Sequence, residues 1–104
     1  MSDRLSIRFT ARAARQVEQA GRWWRDNRPK APGAVREELD RALELLAVQP
    51  HVGAKAGSVA LGSVRRVLLS RINYHLYYRI RGTPPDGIEV LAFWHGSRGA
   101  PPSL

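Results

Sequence analysis

The sequence predicts an α+β domain in which a helical hairpin packs on one face of a small, mainly antiparallel four-stranded sheet, in the order β-α-α-β-β-β. Three observations predict it. Residues 5–9 alternate apolar and polar, residues 13–46 carry two apolar stripes at helical spacing, and from residue 64 the period returns to two. A helical hairpin on a meander buries that face of the sheet and leaves the other exposed.

Leu5, Ile7 and Phe9 alternate with Ser6 and Arg8, a short strand with one buried face. Thr10 follows as an N-cap, its hydroxyl able to satisfy an orphan amide of the next turn. Ala13, Val17, Ala20 and Trp24 recur at spacings of 4, 3 and 4, one stripe of a helix over residues 11–26. Trp24 belongs to that stripe, and Trp23 beside it is assigned to core packing as well. Asn27, Arg28 and Pro29 end the helix, and Pro32 and Gly33 complete a short connection. Val35, Leu39, Ala42 and Leu46 repeat the spacing in a second helix, supported on its wet side by a Glu37–Arg41 pair and bounded by Pro50. So short a connection folds the two helices back on each other.

Residues 51–63 are rich in Gly, Ala and Ser and read as a mobile loop. Residues 64–69 form a strand, and Tyr74, Leu76, Tyr78 and Ile80 form the apolar side of the next. Its opposite side shows His75, Tyr77, Arg79 and Arg81 to solvent. Residues 82–87 are a turn, and 88–94 are nearly all apolar, as a central strand requires.

The chain has 104 residues, enough for one domain, taken as residues 1–98 with a short tail at 99–104. Its longest apolar run, residues 90–94, is far short of a bilayer span. No apolar stretch follows the first basic residue, so no secretory signal is expected. Zero cysteines exclude disulfides and thiolate metal sites, and fit a reducing cytoplasm. His51, His75 and His95 have no metal-ligand spacing, and the glycines match no nucleotide fingerprint. Neither metal nor cofactor is expected.

The formal net charge is +8, and 15 of the 17 cations are arginine. Arginine makes planar, bidentate contacts to phosphate and carboxylate, although codon bias in a GC-rich genome raises the same ratio. Distribution says more. The first 44 residues hold 10 cations and 7 acids, a near balance. Lys55, Arg65, Arg66, Arg71, Arg79 and Arg81 then follow with no acid before Asp86. Such a stretch is solvated or meets something negative.

The order of elements resembles the ParE/RelE superfamily of bacterial toxin–antitoxin toxins. So do residues 64–68, the strand Tyr74-His75-Leu76-Tyr77-Tyr78-Arg79-Ile80, and the apolar strand ending in Trp94-His95-Gly96-Ser97-Arg98. The likeness is greatest to the ParE-type, plasmid-stabilisation branch. It implies a small cytoplasmic toxin neutralised by a cognate antitoxin, acidic and partly disordered, that wraps it. ParE members are described as poisoning DNA gyrase, RelE members as cutting mRNA on the ribosome. No membrane partner is implied.

Metal-independent RNA cleavage needs proton-transfer groups and cations around the phosphorane. His95, Arg79 and Arg66 are the candidate catalytic set, with His75, Arg65 and Arg98 nearby. RelE-type nucleases add basic residues and a tyrosine at the C-terminus, whereas residues 99–104 contain no tyrosine, lysine or acid. The expectation is therefore a non-enzymatic toxin that binds gyrase, with an mRNA endoribonuclease and a non-toxic basic interaction protein as alternatives. The residues expected to meet target or antitoxin are Arg65, Arg66, His75, Tyr77, Arg79, Arg81 and Arg98.

Overall fold

Alternating residues pair into a sheet wherever the chain can return alongside itself, and here five segments do. In the computed structural model, which describes residues 4–57 and 59–104, they are β1 (Ser6–Phe9), β2 (Ala54–Lys55), β3 (Val64–Leu69), β4 (Tyr74–Arg81) and β5 (Gly87–His95). Residues 1–3 of the expected domain and Ser58 of the expected loop lie outside the described residues. The sheet order is β1-β5-β4-β3-β2, antiparallel except for the parallel β1–β5 pair. The sheet thus has five strands, not four. The extra one is β2, where Ala54 and Lys55 pair with Arg66 and Arg65. Residues 51–63 are accordingly not a plain loop: a short 3-10 turn, Pro50–Val52, leads directly into that pairing.

Helix α1 (Ala11–Asn27) starts at Thr10, whose Oγ1 accepts from the Ala13 amide at 3.1 Å. Helix α2 (Ala34–Val48) follows, and both helices cover one face of the sheet. Ala13, Ala20, Leu39 and Leu46 pack there against Leu76, Tyr78, Ile88, Val90 and Phe93, so both apolar stripes are buried as spaced. The expected Glu37–Arg41 pair does not form. Arg41 meets Glu38 at 3.1 Å, and Glu37 instead reaches Arg71 at 2.9 Å, because the β3–β4 turn brings a second guanidinium to the start of α2. Trp23 also departs from its assignment. It stays 46% exposed with the Arg28 guanidinium 5.2 Å from its ring centre, since only Trp24 lies on the buried stripe.

The opposite face of the sheet is not left bare. The β4–β5 register skips Leu91 between the Tyr77–Ala92 and Tyr78–Val90 pairs, a bulge that leaves Leu91 and Ala92 in the same cluster as Tyr77 and Val64. Ala56, Val59 and Leu61 pack on that cluster together with Leu104, whose carbonyl accepts from the Leu61 amide, and Pro102 is buried in the tail. Tyr77, expected on an exposed face, is 1% exposed. The reason lies in β5 itself: a strand apolar on both sides requires cover on both.

Candidate functional site: a basic strip on the second sheet face

Neighbouring residues of a strand point to opposite faces, which divides the arginines before any partner is considered. Arg66 shares the second face with Val64 and Leu68, whereas Arg65 points to the helix side with Val67 and Leu69. There the Arg65 Nη1 donates to the carbonyls of Gly53 at 2.7 Å and His51 at 3.2 Å. Arg65 therefore separates from the group formed with Arg66 and Arg79 in the sequence.

The run of cations from Lys55 to Arg81 is compensated in part across the fold, which no local count of charges could reveal. Arg71 reaches Glu37 and Glu38 on α2. The Arg79 Nε lies 2.8 Å and the Arg81 Nη1 3.2 Å from the same oxygen of Glu89, on the neighbouring strand. The Arg79 hydrogen bond, reinforced by the charges of Arg79 and Arg81, holds the Glu89 carboxyl below the ordinary glutamate range. Lys55, Arg65, Arg66 and Arg98 meet no carboxylate among the described residues.

A shallow pocket of about 190 Å³ opens where β5 ends. Arg66, His75, Tyr77, Trp94, His95 and Arg98 line it together with residues 99–101, and no acidic side chain does. Tyr77 buries its ring and offers its hydroxyl oxygen to the Arg66 Nη1 at 3.3 Å, tying that guanidinium to the sheet. Burial, and then the charge of Arg66, pulls the His75 imidazole below its usual value, so it is neutral near pH 7. The His95 Nδ1 accepts from the Ser97 amide at 3.1 Å, an arrangement that leaves Nε2 as the protonated nitrogen of the neutral ring. The ring also stands edge-on to Tyr74 at 5.0 Å.

Trp94 and Arg12 join this site although the sequence did not single them out. The Arg98 guanidinium lies 4.0 Å and that of Arg12 6.0 Å from the Trp94 ring centre, while the indole N–H donates to the Ala100 carbonyl at 2.9 Å. A signal was available for Trp94, which alternates with Phe93 and so belongs on the face of His75, its register partner. Nothing local in the sequence links Arg12 to it.

The candidate catalytic residues thus separate. His95 and Arg66 meet in the pocket, while Arg79 is engaged with Glu89 and does not line it. What converges is a set of cations and hydrogen-bond donors around aromatic rings, suited to holding an anionic group. A larger concavity, about 540 Å³, lies between the 51–65 segment and the 82–87 turn. His51, Lys55 and Arg65 line it beside Leu61, Ile80 and Pro85, again without an acid. Among the described residues no helix is long and apolar enough to cross a membrane.

No curated protein matches the chain in sequence. Among solved structures, the fold is similar to one described as the chromosomal ParDE TA system from P. aeruginosa, with a TM-score of 0.70 at 22% identity over 90% of this chain and 98% of that one. The sequence profile of the ParE toxin of type II toxin–antitoxin system, parDE, matches residues 7–99, which span every helix and all but the first residue of the sheet. The chain therefore belongs to the ParE toxin family of type II toxin–antitoxin systems.

Proposed function

We propose that this chain is a cytoplasmic toxin that binds and inhibits DNA gyrase without catalysing a reaction, and that a cognate acidic, partly disordered antitoxin neutralises it. Family membership supports the toxin role. The observation that carries the non-catalytic reading is the separation of the candidate nuclease set: Arg79 is held by Glu89 at 2.8 Å instead of facing His95 across the pocket. Two concavities lined by cations and free of acids support an acidic partner, because a partner's carboxylates find donors there with no like charge nearby. Arg65, Arg66, His75, Arg79, Arg81 and Arg98 are the residues assigned to target or antitoxin contact. Tyr77 acts with them by fixing Arg66.

Expression without the antitoxin is expected to arrest growth, with supercoiling defects and a DNA-damage response. Codon-positioned mRNA cuts that vanish with His95→Ala would overturn the gyrase reading in favour of a ribosome-dependent endoribonuclease. That second reading draws on one observation, the meeting of His75, His95 and Arg66 in a single pocket. Absence of any arrest would favour a non-toxic interaction protein. In a toxin–antitoxin complex, the antitoxin footprint is expected to include at least one of Arg65, Arg66 and Arg79. An interface that avoids all three removes the electrostatic argument.

A further inference from the structure

The parallel β1–β5 and antiparallel β5–β4 registers place Arg8, Glu89 and Arg79 in one row across the sheet. Arg81 lies two residues along β4, on the same side as Arg79. Two guanidinium groups thus meet on one carboxylate, while Arg8, which forms no ion pair with it, lines the adjoining recess together with Arg81 and a second acid, Asp86. Both bonds to Glu89 fall on Oε1, and each arginine uses a single donor of its five. Nothing here resembles a closed, fully satisfied ion pair. The side chains keep 32% (Arg79), 55% (Arg81) and 22% (Glu89) of their exposure, so an incoming group can reach all three.

We propose that Glu89 is an internal stand-in for the acidic side chain that a partner polypeptide presents to Arg79 and Arg81. It rests on the acidic-partner reading above and goes beyond it by naming the competitor. In the free chain Glu89 draws the two guanidinium groups toward one point and keeps them from splaying into solvent. On docking, a partner carboxylate takes the unused donors and displaces Glu89 or shares the site with it. A purely structural tie between β4 and β5 would behave differently, since removing it could loosen the strands but not strengthen binding.

The test uses the full chain and a synthetic 20-residue poly-glutamate peptide at low ionic strength. Glu89→Gln is expected to bind about five-fold more tightly than the wild type, the effect of removing one unit charge about 4 Å from the site in a largely aqueous setting. The gain is expected to shrink with added salt. Glu44→Gln, which changes net charge equally on α2, is expected to leave binding near the wild-type value, and Arg79→Gln/Glu89→Gln is expected to lose the gain. Binding by Glu89→Gln that merely equals Glu44→Gln, or falls below wild type, overturns the competitor role. No binding by either the wild type or Glu89→Gln overturns the acidic-partner reading and the inference together. The same gain toward a DNA duplex but not toward the peptide would assign the site to nucleic acid instead. Should Glu89→Gln fail to fold, the wild type still decides: peptide titration is expected to move the Arg79 Nε–Hε resonance and the Glu89 carboxyl resonance in parallel. Saturation with both unmoved overturns the proposal.

Discussion

Tyr78 illustrates how much one side chain can organise. Its ring is buried in the main core, while its hydroxyl donates to the Pro50 carbonyl at 2.7 Å and accepts from the Gly53 amide at 2.9 Å. That single oxygen fixes the chain between α2 and β2. Tyr78→Phe leaves both backbone groups without their partner and is expected to cost about 1–3 kcal/mol in urea unfolding. Two ionisable side chains make pH predictions with a definite sign. The folded state disfavours the charged form of His75, so as pH falls below the ordinary histidine value of about 6.5 the unfolded chain takes up the proton first. This contribution to stability is whole above that pH and declines below it. An NMR titration is expected to give His75 a midpoint under 6.5, rising in Arg66→Ala. Glu89 runs in the same direction at lower pH. Its depressed carboxyl contributes stability above the ordinary glutamate value of about 4.5, and that is lost as pH falls through the folded value. A stability–pH profile of Glu89→Gln is expected to be flatter on its acid side than that of the wild type.

Among the elements, α1 and α2 were legible because a stripe at spacings of 4, 3 and 4 has one structural meaning and each is bounded by residues that stop a helix. Strand β2 was not. Two residues offer no period, and their pairing depends on how closely the chain approaches β3 and β4. Gly53 permits that approach: a Cβ there would stand 2.9 Å from the Arg66 carbonyl oxygen and closer still to the Tyr78 hydroxyl. Its backbone is ordinary, at φ −72°, so the requirement is for space. Gly53→Ala is expected to destabilise the fold by about 1–3 kcal/mol through overpacking. Loss of the Ala54–Arg66 pairing in hydrogen exchange would accompany it. The bulge at Leu91 was likewise hidden, and the cover on the second face went unread, since that face was expected to lie exposed. An unbroken run from Val90 to Trp94 already demanded apolar cover on both faces of the strand, and the segments able to supply it held Val59, Leu61, Pro102 and Leu104.

At the level of the whole molecule, cover and charge meet on one surface. The tail crosses the second face, held by the Leu61 amide at 3.2 Å from the Leu104 carbonyl, by the Trp94 indole on Ala100, and by Arg12 on the Ser103 carbonyl. Deleting residues 100–104 uncovers part of the Tyr77–Leu91–Ala92 cluster. A stability loss of about 1.5–3 kcal/mol is expected, the scale of exposing one large apolar side chain, with increased binding of a hydrophobic dye. Beyond that cover, the face presents Arg66, Arg79, Arg81 and Arg98 with Glu89 as the nearby counter-charge. Four cations thus stand there around a single ion-paired carboxylate, and partner recognition is expected to weaken with salt.

The residues alone determined the element order, the helix-facing core and the surplus of arginine, since periodicity and composition are properties of the linear chain. The family resemblance was carried by residues local to β3, β4 and β5. Tertiary structure decided which arginines keep a free charge. Ion pairs form by proximity in space, so Glu89 could engage Arg79 and Arg81 from an adjacent strand, offsetting one of their two charges, and α2 could neutralise Arg71 from another layer. It also decided that the second face is partly roofed, because a two-residue strand and a proline-rich tail acquire their positions only from the surface on which they pack.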